Sequence, residues 1–155
     1  DSFKVLDYQY LPLKNPQEDI DRWHDQGYGN MTLNGGLYDM SRTLPDIADK
    51  FFTLFDWQHV GVSFYCMKTC DFLPKHADHY ITFRKRFAIE NPYKVWRAVV
   101  FLEDWKSGHY FEIEDKPLSP WQAGDWVAWN YDVPHVAGNI GPKNRYTVQV
   151  TGCID

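Results

Sequence analysis

His76 and Asp78, in the stretch Pro74-Lys75-His76-Ala77-Asp78, stand two residues apart. In an extended chain alternate residues point to the same face, so this imidazole and this carboxylate can meet a single ion. A third ligand has to come from elsewhere in the chain. The candidate is His135, in Asp132-Val133-Pro134-His135-Val136, 57 residues beyond Asp78. Two imidazoles and one carboxylate on one face of an octahedron leave three positions open, which suits Fe(II) binding a chelating co-substrate and then O₂. The absence of thiolate from the set argues against structural zinc.

The triplet has little force by itself. With six His and sixteen Asp in 155 residues, a shuffled chain would contain His-x-Asp about 0.6 times. The surrounding order carries the weight. After His135 nine residues intervene before Arg145-Tyr146-Thr147, where Arg145 and Thr147 share one face of a strand and can receive a carboxylate with a guanidinium fork and a hydroxyl. That face continues through Gln149 and Thr151, while Tyr146, Val148 and Val150 are apolar. The polar face therefore looks either to solvent or to the interior of a barrel. Tyr65, eleven residues before His76, is a possible phenolic donor or a core tyrosine. Tyr80 and Arg84 follow Asp78 with matching parity and, with Arg97, are candidate substrate contacts if the strand runs on unbroken. His24, His59, His79 and His109 have no partner pattern and read as structural or exposed.

The order His-x-Asp, a distant His, then Arg-x-Thr resembles the Fe(II)/2-oxoglutarate-dependent dioxygenase superfamily, and its small prolyl-hydroxylase-like members in particular. Two further stretches are similar to that group. Trp96-Arg97-Ala98-Val99-Val100-Phe101-Leu102-Glu103-Asp104-Trp105, with Ser107-Gly108-His109-Tyr110-Phe111, matches the strand and glycine turn between the ligands. Pro120-Trp121-Gln122-Ala123-Gly124-Asp125 resembles the Pro-x-x-Gly-Asp lead into the strand of the distal His, with one residue more between Pro and Gly. The similarity covers about residues 62–151. It departs from the pattern at the central turn, where Ser107-Gly108 replaces Gly-Gly.

The resemblance implies a double-stranded β-helix, with iron on His76, Asp78 and His135. It also implies 2-oxoglutarate held through its distal carboxylate by Arg145, with Thr147 and Tyr65 assisting. O₂ is then the co-substrate, succinate and CO₂ leave, and a second molecule is hydroxylated. No catalytic group beyond the metal ligands is expected. Halogenating relatives have a small residue where Asp78 stands, so hydroxylation or oxidative demethylation is favoured. Nucleic-acid demethylating members have a second Arg six residues beyond the first, where this chain has Thr151. The expected prime substrate is a peptide or protein side chain, prolyl included, or a small molecule. Two rival readings keep the same jelly roll: a cupin-like metal enzyme that uses no 2-oxoglutarate, and a non-catalytic binding module.

The elements that must position these residues follow from composition and period. A chain of 155 residues builds one domain with a real core. Seven Trp, ten Tyr and ten Phe suit pleated, half-buried surfaces. Residues 1–57 carry the helix signals and are expected to form a helical support. Asn15-Pro16-Gln17-Glu18 opens a helix that ends at Gly27, and Thr43-Leu44-Pro45-Asp46 opens another with an apolar stripe of Ile47, Phe51, Phe52 and Phe55. Residues 58–155 form the β core, with strands expected near 59–67, 79–87, 96–103, 109–114, 125–130, 134–138 and 144–151. Together they predict a mainly β jelly roll buttressed by helices.

A net charge of −5 gives no general attraction to phosphate backbones, so nucleic acid is not an expected partner, although Arg84, Lys85 and Arg86 form a local basic cluster able to hold an anion. Cys66, Cys70 and Cys153 lack zinc-like spacing, and Cys66 and Cys70 are expected to be small core residues. No apolar run suggests a signal core or a membrane span, and the reducing cytoplasm is the expected compartment.

Overall fold

The computed structural model describes residues 9–12, 17, 21, 24, 25, 36–39 and 46–155. Among the described residues ten strands form two antiparallel sheets. The larger has the order β1 (Gln9–Pro12), β2 (Gly36–Asp39), β3 (Gln58–Met67), β10 (Arg145–Cys153), β5 (Val95–Phe101) and β8 (Trp126–Asn130). The smaller has the order β4 (Phe72–His76), β9 (His135–Asn139), β6 (His109–Ile113) and β7 (Lys116–Pro117). This is the double-stranded β-helix that the resemblance implies.

The parity of three adjacent strands explains how the sheets pack. In β3, β5 and β10 the even-numbered positions Val62, Phe64, Ala98, Val100, Val148 and Val150 form an outer apolar cluster, closed by Ala48 and Phe51. The odd-numbered positions turn inward, where Met67, Val99 and Phe101 meet Leu73, Phe111 and Ala137 of the smaller sheet. β5 reads as apolar on both parities because both of its faces are covered.

The amino-terminal third differs from the helical support expected of it. β1 and β2 extend the larger sheet through β3. Of the helix expected from Asn15 to Gly27, Gln17, Asp21, His24 and Asp25 are helical and exposed; its remainder, like Thr43 to Pro45, lies outside the described residues. The second helix is short, a 3₁₀ turn Asp46–Ala48 leading into Asp49–Phe52. Phe51 packs on Phe64 edge to face with ring centroids 5.7 Å apart, whereas Ile47 and Phe52 are exposed. The expected stripe thus contributes Phe51, with Phe55 packed at the cluster's margin.

The strand expected at 79–87 is instead a helix, Ile81–Phe87. Ile81, Phe83 and Phe87 alternate with Thr82, Arg84 and Arg86, which is the period of a strand, but none of the seven residues is buried. The helix is bracketed by left-handed residues, Tyr80 at φ 50 and Ala88 at φ 54. Its carboxyl end is held by Arg84, which donates to the Ile89 and Glu90 carbonyls. Strand β4, directly before it, had no clear signal in the sequence.

The Ser107-Gly108 turn is sterically fixed. Gly108 has φ +90, and a Cβ there would lie 2.2 Å from the Gly141 nitrogen. Cys66 and Cys153 are buried as small residues are, but Cys70 is exposed rather than part of the core, and all three are free thiols. Burial pushes the Cys66 thiol up to about 11, so it stays protonated. Among the described residues no helix is long and apolar enough to cross a membrane.

Candidate metal centre and its cavity

β4 and β9 pair so that His76 stands opposite His135, with a register shift between Leu73 and His76. The pairing brings the two rings to a centroid separation of 4.3 Å. Asp78 follows two residues after β4 ends, and its Oδ2 lies 3.5 Å from His135 Nε2. The candidate ligand atoms of His76, Asp78 and His135 all lie within 4.8 Å of one another, so the three could hold a metal ion.

The imidazoles are prepared for that role. His76 Nδ1–H donates to the Pro74 carbonyl at 2.8 Å, and His135 Nδ1–H donates to the Val133 carbonyl at 3.0 Å. Since a carbonyl can only accept, both rings carry the proton on Nδ1 and the lone pair on Nε2. Burial, then the neighbouring His76, push His135 down to about 4, so it is neutral near pH 7. Burial alone would raise the Asp78 carboxyl, but the Arg97 guanidinium beside it, with smaller contributions from His135 and His76, outweighs burial and holds the group below its ordinary range. Two imidazole nitrogens and an ionised carboxylate are a donor set that fits Fe(II) or a similar divalent ion.

Arg97 is the nearest cation. On β5 it sits opposite Thr151 of β10 and Trp129 of β8. Its Nη1 donates to Asp78 Oδ2 at 2.6 Å, its Nε donates to Thr151 Oγ1 at 3.2 Å, and its guanidinium lies 5.0 Å from the centroid of the Tyr80 ring. Burial pulls the guanidinium down, but the Asp78 charge more than restores it. Arg97 was expected to contact substrate; the structure gives it an ion pair with a candidate metal ligand.

A cavity of about 230 Å³ opens between the sheets at this point, and His76, Asp78, His135, Arg97, Arg145 and Thr147 all line it. The polar face of β10 is therefore an interior face. Tyr65 lines the same cavity from β3, in register with Thr147. Apolar walls come from Val99, Phe111 and Trp129, and Gln149 is also present. The walls had no motif to announce them, only inward parity on strands already expected. Arg84 takes no part: its donors cap the helix Ile81–Phe87, and it lines a separate surface hollow. Tyr80 is buried beside Arg97 but outside the cavity wall.

Arg145 is the most unusual group in the cavity. Its side chain is 5% exposed, Nη1 donates to the Tyr110 carbonyl at 2.7 Å, and Nε has no partner. Among the described residues no carboxylate lies within ion-pair distance of it. Burial pushes its guanidinium down to about 10, so it remains charged at neutral pH. A buried cation without a counter-ion is costly unless an anion arrives from outside. Of the other histidines, His109 is buried and bonds the Lys143 carbonyl through Nε2, while His59 stacks on Phe87 and His79 lies against Tyr131. None of these three lines the cavity.

In sequence the chain matches no family model and no curated protein. In structure it is similar to a prolyl-4-hydroxylase of Pseudomonas putida, at 13% identity and a TM-score of 0.58, with 99% of this chain and 96% of that one covered. It is also similar to a cupin protein from Bacteroides fragilis (10% identity, 94% and 85% covered, TM-score 0.45). A predicted oxalate decarboxylase from Thermotoga maritima follows (12%, 78% and 84%, TM-score 0.48). At such identities the likeness is one of fold.

Proposed function

We propose that this chain is a non-haem Fe(II)- and 2-oxoglutarate-dependent dioxygenase that hydroxylates a second, organic substrate. The observation that carries the reading is Arg145, a buried cation without a described acidic partner, in the same cavity as the His76, Asp78 and His135 cluster. A metal centre alone does not call for that charge. A dianionic co-substrate bound by iron at one end and by a guanidinium at the other does.

His76, Asp78 and His135 would hold the iron. When bound, it would supply O₂ activation coupled to decarboxylation of 2-oxoglutarate to succinate and CO₂. The remaining work belongs to the side chains that line the cavity. Arg145 binds the distal carboxylate, and Thr147, on the same inner row, adds a hydroxyl. Tyr65 stands across the strand pair from Thr147 and can donate its phenolic proton to the same ligand. Val99, Phe111 and Trp129 exclude water, which strengthens each of these polar contacts. Arg97 holds Asp78 in place from the opposite sheet.

The test is product formation. Purified protein supplied with Fe(II), ascorbate, O₂ and 2-oxoglutarate should release succinate, and Arg145→Gln should reduce that release at least a hundredfold at sub-saturating 2-oxoglutarate. Succinate formation that Arg145→Gln leaves unchanged would reject the assignment of Arg145. No succinate from the wild-type protein would reject the reaction class.

A further inference from the structure

Arg97 faces two spaces. It lines the metal cavity and also a groove of about 470 Å³ between the start of β3 and the helix Ile81–Phe87. His59, Gly61, Tyr80, Phe83, Arg86 and Phe87 are among the groove's walls. With Nη1 used on Asp78 and Nε on Thr151, no described residue accepts a hydrogen bond from Nη2. One arm of the guanidinium fork is thus available next to the candidate metal ligands.

Arg97 and Arg145 belong to opposite ends of the same inner face. Thr151, the register partner of Arg97, lies six residues along β10 from Arg145, a strand separation of about 20 Å. A 2-oxoglutarate anchored at Arg145 therefore leaves the Arg97 end to the second substrate. Charge limits what that substrate can be. Among the described residues Asp78 is the one acid lining the cavity, and none of them is an acid lining the groove. With a divalent ion on the neutral imidazoles and Asp78, and with a dianion at Arg145, the two guanidinium groups leave one positive charge in excess. In a site with apolar walls such an excess attracts an anion strongly. Arg86 adds a further cation at the groove, so part of the basic cluster at residues 84–86 faces this space.

We propose that the prime substrate is a carboxylate on an apolar stem, lying in this groove with its carboxylate at Arg97 Nη2 and Arg86 and its stem against Phe83 and Phe87. The inference rests on the dioxygenase reading above. It names the chemistry shared by a free acid, a peptide carboxyl terminus and an acidic side chain.

The experiment uses ¹⁵N-labelled protein loaded with Zn(II) and saturating 2-oxoglutarate, titrated with 4-phenylbutyrate and with its neutral isostere 4-phenylbutanamide. The acid should bind at least tenfold more tightly and shift the amides of Gly61 and Thr82 and the Arg97 Nε–H signal. Arg86→Glu should weaken the acid at least fivefold and leave the amide unchanged. Equal affinity for the two probes, or shifts confined to residues outside the groove, would overturn the proposal. Loading is measured separately by calorimetry. Failure of 2-oxoglutarate to bind removes the dioxygenase reading itself, whereas normal loading without preference for the acid removes this inference alone.

Discussion

Arg97 Nη1 lies 2.6 Å from Asp78 Oδ2, and this ion pair ties β5 of the larger sheet to the segment that leaves β4 of the smaller one. The two partners are not equally fixed. Arg97 is held in its own sheet by Thr151, while Asp78 sits in irregular chain between β4 and the left-handed Tyr80. The arginine therefore positions the carboxylate. Arg97→Gln should weaken Mn(II) binding to the metal-free protein by about 10- to 100-fold, the range typical of groups that orient metal ligands. Thr151→Val, which frees the fork but keeps the charge, should weaken it less. Electron paramagnetic resonance titration reads both; a wild-type Kd for Arg97→Gln would show that Asp78 is held by other means.

Arg145 should be a stability burden in the absence of ligand. Arg145→Met removes a buried charge with no described counter-ion while filling much of the same volume. We expect the unfolding free energy of the ligand-free protein to rise by about 1 kcal/mol while 2-oxoglutarate binding is lost. Urea unfolding with and without 2-oxoglutarate checks both halves, and a clear destabilisation of the ligand-free variant would count against Arg145 as an anion site.

Acid should destabilise the metal-free protein in a defined window. His135 is held at about 4 in the folded chain, against about 6.5 when unfolded. Between those values the unfolded chain takes up a proton that the folded chain refuses. Stability is therefore full above pH 6.5 and falls as pH drops towards 4, by about 3 kcal/mol from this group. Asp78, held below its ordinary range, adds its loss only at lower pH. Denaturation curves across pH 4–7 test this, and His135→Gln should flatten them in that window.

Two glycines with similar backbone angles should respond differently to alanine. Gly108 has φ +90 with a Cβ position 2.2 Å from Gly141 N; Gly124 has φ +95 with nothing within 4 Å. Gly124→Ala meets only the backbone penalty, about 1 kcal/mol. Gly108→Ala must also push apart two loops and should lose about 3 kcal/mol or more. Similar melting temperatures for the two variants would contradict the crowding at the β6 entry.

What the sequence made legible followed from period. Alternation on β3 and β10, and a run apolar on both parities on β5, announced strands, and the inward row of Arg145, Thr147 and Gln149 was readable as polar without saying what it faced. His76, Asp78, His135 and Arg145 could be singled out because their order along the chain is specific, although His-x-Asp by itself is common. The segment 79–87 misled because a short exposed helix with no buried residue leaves no helical stripe. Its alternation is a surface pattern. The pairing of Arg97 with Asp78 depends on which strands become neighbours across two sheets, and no local pattern encodes that. β1 and β2 were missed because a run of four residues is too short to establish a period.

The most direct measurement is an anaerobic titration of the Fe(II)-loaded protein with 2-oxoglutarate, followed by visible absorption. A weak charge-transfer band should appear that saturates at one equivalent, is absent in His76→Ala, and needs far more 2-oxoglutarate in Arg145→Gln. A protein that binds Fe(II) stoichiometrically yet shows no band at any 2-oxoglutarate concentration would contradict the dioxygenase reading.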